Sequence, residues 1–260
     1  MSLTYSEYLK LEELLALQAP RSSEPEHDET LFIVIHQVYE LWFKQTLHEL
    51  SWLQAGLERN DSCVALATFK RILTILKLLV AQIDVLETMT PVSFLSFRSR
   101  IENASGFQSP QFREVEFVLG HRRESMLKYH PQGSDARKRL EGLLDSPSLW
   151  DSFLRFLELN ELDIPRKALD RDRRQALEEN GEVQKILIDI YRNRPLLREI
   201  CERMVDLDEG LQEWRYRHVK MVERTIGTKR GTGGSAGAAY LKTTLFQPLF
   251  PDLWAIRVSL

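Results

Sequence analysis

His218 and His36 are the residues of this sequence whose surroundings most suggest chemistry. His218 lies in LLREICERMVDLDEGLQEWRYRHVKMVERTI, with Leu207, Leu211, Trp214, Val222 and Thr225 on or beside its helical face, so it points inward. A buried neutral histidine with no cysteine nearby is the kind that ligates a haem iron from one side. By pattern alone, a core histidine hydrogen-bonded to a neighbour is the commoner explanation. His36 follows Phe32 by one helical turn, which puts an aromatic wall beside a ring nitrogen and suits a planar ligand carrying an N–H. A structural histidine is again the plainer alternative. Phe94 and Arg98 repeat the i, i+4 spacing and combine an apolar contact with a guanidinium able to clamp a carboxylate, although solvated arginines are far commoner.

The 6 histidines, His27, His36, His48, His121, His130 and His218, form no HExxH or other metal-binding spacing, so a multi-histidine metal site is not indicated. The glycine-dense stretch KRGTGGSAG lacks the GK[ST] ending of a phosphate-binding loop and follows a helical pattern instead of a strand, which argues against a nucleotide site. Two readings remain for it: a loop over residues 228–237 that closes on a ligand with Thr232 among its donors, or a plain linker.

These residues need long helices to hold them. T-x-x-E at Thr4–Glu7 is a capping-box pattern, and Tyr8, Leu11, Leu14 and Leu15 continue at helical spacing, which predicts one helix near 4–19, before Pro20. A long helix is expected from about Asp28 to Asn60, a second from Asp61 to Thr90, and a last from Pro195 to Gly227. Shorter ones fall around 91–101, 111–120, 134–144, 147–160 and 181–192. The section 121–194 is more polar and offers no catalytic candidate. No alternating strand pattern and no internal repeat occur. The expectation is one all-α domain over 1–260, a bundle of long antiparallel helices enclosing the pocket.

Composition narrows the partners. In 260 residues, 35 Lys and Arg against 38 Asp and Glu leave a net charge of −3, which supplies no field for nucleic acid. The N-terminal stretch does not read as a signal peptide, and no segment is apolar for long enough to span a membrane. The 2 cysteines, Cys63 and Cys201, are far apart and outside any CxxC, which fits a reducing cytoplasm and requires any haem to be held non-covalently.

Five blocks in order, LTYSEYLKL at 3–11, HDETLFIVIHQVYELWFK at 27–44, VLETMTPVSFLSFR at 85–98, SGFQSPQFR at 105–113 and WRYRHVKMVERTIGTKRGTGGSAG at 214–237, resemble the tryptophan 2,3-dioxygenase family across almost the whole chain. The resemblance implies haem b ligated by His218 and O2-dependent opening of the indole C2–C3 bond of L-tryptophan to N-formylkynurenine, a step of tryptophan catabolism. It implies that His36, beside Phe32, hydrogen-bonds the indole N–H, and that Arg98 pairs with the substrate carboxylate. Thr232 would lie near the ammonium and carboxylate, Phe94 against the substrate, and Ser105 and Gly106 close to bound oxygen. Tyr5, Tyr8 and Leu9 would belong to an N-terminal helix reaching a neighbouring subunit's pocket in a homotetramer. The alternatives are a relative that mono-oxygenates a tryptophan derivative and a haem sensor without turnover.

Overall fold

In the computed structural model, which describes residues 2–232 and 237–260, every regular element is helical. The chain forms α1 (Tyr5–Leu9), α2 (Leu11–Leu15), α3 (His27–Glu58), α4 (Ser62–Leu86), α5 (Pro91–Phe97), α6 (Pro110–Val118) and α7 (Asp135–Asp145). It continues with α8 (Leu149–Leu159), α9 (Arg166–Leu169), α10 (Gly181–Asn193), α11 (Pro195–Ile226), α12 (Ala238–Lys242) and α13 (Pro251–Ala255), with short 3-10 turns between some of them.

The three long helices carry the architecture. α3 and α4 are joined by a tight turn, and Asp61 caps α4 by accepting from the Val64 N–H at 3.0 Å, so the two helices run antiparallel. α11 lies along α4 in the same direction: Gly210 packs on Leu76, and two turns later Arg217 meets Asp84. Any Cβ at position 210 would sit 3.3 Å from Leu76 Cδ1, so the glycine permits this close approach. The long helices thus form the expected bundle, with α3 antiparallel to α4 and α11 and those two parallel to one another. Tyr39 of α3 ties the layers by donating to the Leu79 carbonyl at 2.6 Å while its ring meets Trp214 of α11.

Fully buried Leu50, Leu53, Phe69, Ile72, Phe97 and Ile200 belong to one continuous core between these helices. A smaller cluster of Phe117, Leu127, Leu140 and Leu144 joins α6 to α7. Burial of such side chains at roughly 25 cal/mol per Å² of apolar surface is what overrides the weak intrinsic stability of short helices such as α6. Two of those short helices start on sequence signals: Thr90 and Ser109 cap α5 and α6, and Pro91 and Pro110 stand at the first helical turn, where a missing N–H costs nothing.

The N-terminal segment departs from the single helix expected over 4–19. The capping box at Thr4–Glu7 forms, but Lys10 takes a left-handed conformation (φ 51°) and its N–H closes α1 on Glu7 and Ser6, leaving two pieces of 5 residues each. Neither piece buries a side chain, so no tertiary contact holds one continuous helix together. Among the described residues no helix is long and apolar enough to cross a membrane.

Candidate active site

A cavity of about 250 Å³ opens between α3, α5, the segment after it, α6, α11 and α12. From α3 come Phe32, His36, Tyr39, Glu40 and Phe43, the inner stripe of a helix repeating every three to four residues. From α11 come Trp214, Arg215, His218 and Val222. The cavity thus collects Phe32, His36, Phe94, Arg98, Ser105, Gly106, His218 and Thr232, the candidates picked out in the sequence apart from those in the N-terminal segment. Tyr5, Tyr8 and Leu9 stand outside it, solvent-exposed on α1 in this chain. Of the glycine-rich stretch, residues 233–236 lie outside the described residues.

Phe32 is the centre of an aromatic wall, its ring 4.1 Å from His36, 5.7 Å from Phe94 and 5.6 Å from Phe97. His36 Nδ1 is 2.7 Å from the Phe32 carbonyl oxygen. A carbonyl only accepts, so Nδ1 carries the proton and Nε2 presents a lone pair. Burial lowers the pKa of His36, opposed by the Phe32 carbonyl and Glu40, and the ring stays neutral. A neutral imidazole with a free Nε2 is an acceptor for one N–H.

His218 stacks on Trp214, centroids 5.4 Å apart and planes 9° from parallel, and neither of its ring nitrogens has a hydrogen-bond partner among the described residues. Burial first, then the charges of His36 and Arg113, push its pKa down to about 4, so it is neutral with a lone pair available. No three His, Cys, Asp or Glu side chains gather anywhere among the described residues to hold a metal ion by themselves. One neutral imidazole beside an aromatic, mostly apolar space is the donor set that suits a metal bringing its own macrocyclic ligands, and the residues present fit a haem.

Arg98 and Thr232 cross-tie two loops at the cavity wall. Arg98 donates to the Arg230 carbonyl, and Thr232 Oγ1 donates to the Ala104 carbonyl at 2.7 Å. Gly237, at φ 63°, lies so close to Lys229 that a Cβ there would be 2.7 Å from the Lys229 carbonyl oxygen, which only glycine allows.

Sequence reasoning overlooked a charged cluster in the same wall. Glu116 of α6 pairs with Arg113 of α6, with Arg123 at 3.0 Å and with Arg215 of α11 at 2.8 Å. Burial alone would raise the Glu116 pKa, but Arg113, Arg215 and Arg123 outweigh it and hold it at about 2. Arg123 belongs to the section set aside as chemically silent, and it also donates to the Tyr240 hydroxyl at 2.6 Å. The signal was available in charged residues set within apolar stretches, Arg113 and Glu116 in FREVEFV and Arg215 beside Trp214.

Helical throughout its described residues, with one neutral histidine lining an aromatic cavity and a second beside a phenylalanine wall, the protein has the makings of an enzyme. The family profile described as "Tryptophan 2,3-dioxygenase" matches residues 1–149 and 165–260. The chain is 60% identical over 259 residues to the tryptophan 2,3-dioxygenase of Herpetosiphon aurantiacus, covering 100% of this chain and 99% of that one. It is 57% identical to that of Anaeromyxobacter dehalogenans (100% and 97% covered) and 43% identical to that of Caulobacter vibrioides (99% and 98%). The chain belongs to the tryptophan 2,3-dioxygenase family, and it is an oxidoreductase.

Proposed function

We propose that this protein is a single-domain, haem-dependent dioxygenase that opens the indole C2–C3 bond of L-tryptophan, inserting both atoms of O2 to give N-formylkynurenine. The observation that carries this reading is the pair of neutral histidines lining one cavity, with no hydrogen-bond partner for His218 or for His36 Nε2 among the described residues. The free thiols Cys63 and Cys201 suit a reducing cytoplasm.

His218 would hold haem b, which when bound supplies the iron that activates O2. The chain's own residues place the substrate. Phe32 and Phe94 flank the indole, His36 Nε2 accepts its N–H, and Arg98 takes the carboxylate by exchanging the Arg230 carbonyl for a charged acceptor. Thr232 adds a donor beside the amino-acid end, and Ser105 and Gly106 shape the oxygen side. Incubation of the reduced protein with L-tryptophan and O2, followed by mass analysis of the product, tests the reading: two added oxygen atoms are expected. One added atom would make it a mono-oxygenase, and a red protein that leaves tryptophan untouched would make it a haem-binding protein without turnover.

His36→Ala separates orientation from proton transfer. A neutral hydrogen bond of about 0.5–1.5 kcal/mol gives a several-fold loss of kcat/KM, whereas an obligatory acid–base step would give roughly 10²–10⁴-fold. The smaller loss is expected, with haem content retained. The methyl group of 1-methyltryptophan should clash with His36 in the wild type and find room in the alanine variant. Turnover that vanishes for both substrates would make His36 a proton-transfer group.

The exposed Tyr5, Tyr8 and Leu9 do not line the cavity of their own chain, and we assign them to a neighbouring subunit's cavity in a homotetramer. Deleting residues 1–11 should raise KM for tryptophan and leave haem content intact. Light scattering and haem titration check both halves. A truncated monomer with full activity would remove the N-terminal segment from the site.

A further inference from the structure

The base of the N-terminal arm is held by a polar clasp. The arm itself, α1 and α2, buries no side chain, and Leu17, where the connector to α3 begins, is 61% exposed, so apolar packing does not set where the arm points. Glu29, in the first turn of α3, is 1% exposed, and both of its oxygens serve the connector. Oε1 accepts from the Arg21 N–H at 2.6 Å and Oε2 from the Ser22 N–H at 3.1 Å. A carboxylate at this place could cap α3 itself, yet among the described residues Glu29 bonds none of that helix's N–H groups. Burial would raise its pKa, but the Ser22 side chain, the two connector N–H groups and the charge of Arg100, in the turn after α5, outweigh it and hold the group below the usual carboxylate range.

Gln37, two helical turns further along α3, makes the other half of the clasp. It accepts from Gln18 Nε2 at 2.6 Å and donates to the Leu17 carbonyl at 3.1 Å. The two anchors stand about 12 Å apart along the helix axis. The chain from Gln18 to Ser22 reaches about 14 Å at full stretch. The connector therefore lies nearly straight between its anchors, and Pro20 locks one of its φ angles. One anchor would leave a pivot, whereas two on a nearly straight strap fix a direction. Phe32 and His36 of the same helix line the cavity, so α3 carries both the substrate wall and the root of the arm.

We propose that Glu29, together with Gln37, is a positioning residue for tryptophan binding: it fixes the direction in which the N-terminal arm leaves the body, so that Tyr5, Tyr8 and Leu9 reach the cavity of a neighbouring copy of this chain already aimed. An arm ordered at its root loses less freedom on docking and is present at the neighbour's cavity at higher effective concentration. This inference rests on the assignment of the arm to a neighbouring subunit and adds the device that directs it.

The test compares four holoenzymes: wild type, Glu29→Gln, the chain lacking residues 1–11, and the two changes combined. KM and kcat for L-tryptophan are measured on each, with haem content and Tm as controls. Glutamine keeps the shape of the side chain and turns an amide NH2 against one of the two connector N–H groups. In the full-length protein it should raise KM about 3- to 10-fold, as for one lost hydrogen bond in ordering the arm, and leave kcat within about twofold. In the truncated chain, where the clasp has nothing left to aim, the same substitution should change neither. Gln37→Ala, at the opposite anchor, should reproduce the KM effect and its disappearance on truncation, and it carries the test if Glu29→Gln fails to fold. A KM rise of equal size with and without the arm would mark the clasp as general structure and overturn the inference. So would an unchanged KM in both full-length clasp variants while truncation alone raises it, a result that leaves the arm reading intact. Truncation without effect on KM would overturn the arm reading itself, and this inference with it.

Discussion

Substituting His218 with alanine should produce a protein that folds and, on the haem reading proposed above, takes up no haem or takes it up without the absorption signature of histidine ligation. The expectation follows from the inventory of ligands. His36 is the other histidine lining the cavity, and it stands on a different helix, α3, where its Nε2 is assigned to the indole N–H. Cys201, buried in the core, does not line the cavity, and Cys63 is on the exposed face of α4. Among the described residues, no other histidine or cysteine of α11 lines the cavity to take over the iron. The fold should survive, because His218 makes no hydrogen bond among the described residues and contributes one stacked ring on Trp214. Added imidazole should enter the space vacated by the side chain and restore the spectrum, which separates loss of a ligand from loss of structure. An unchanged proximal-histidine spectrum in the variant would remove His218 from the iron.

The elements that the sequence made legible are those dictated by local periodicity. Phe32 with His36, and Phe94 with Arg98, are one turn apart, so a helix brings each pair to one face whatever the rest of the chain does, and both pairs line the cavity. The inward stripe around His218 is local in the same sense. What periodicity could not convey is set by partners far along the chain. The left-handed Lys10 divides a segment whose two helical pieces bury no side chain in this chain. The parallel course of α4 and α11 depends on Gly210 meeting Leu76. The Arg215–Glu116 pair joins positions 99 residues apart, and neither side chain shows in its own neighbourhood which opposite charge it will be buried against. Charged residues inside apolar stretches are the trace such clusters leave, and they say that a partner is needed without saying which.

Arg98→Leu should weaken tryptophan binding by roughly 10- to 100-fold or more. Arg98 is half-buried at the end of α5, and without substrate its guanidinium satisfies the Arg230 carbonyl. Tryptophan would replace that neutral acceptor with a carboxylate, and a hydrogen bond to a charged group contributes about 1.5–3 kcal/mol where a neutral one contributes about half as much. Leucine removes the donor and leaves the carboxylate against an apolar wall, which adds a desolvation cost. The variant also frees the Arg230 carbonyl, so some loosening of the loop that carries Thr232 is expected to contribute. Tryptamine distinguishes the two effects. It keeps the indole and the amine and lacks the carboxylate, so its affinity should be nearly indifferent to Arg98→Leu if the charge pairing dominates, and should fall in parallel with that of tryptophan if the loop does. Titration of each compound into wild type and variant, followed by the absorption change on binding, gives both affinities. Unchanged tryptophan affinity in the variant would place the carboxylate clamp elsewhere in the cavity.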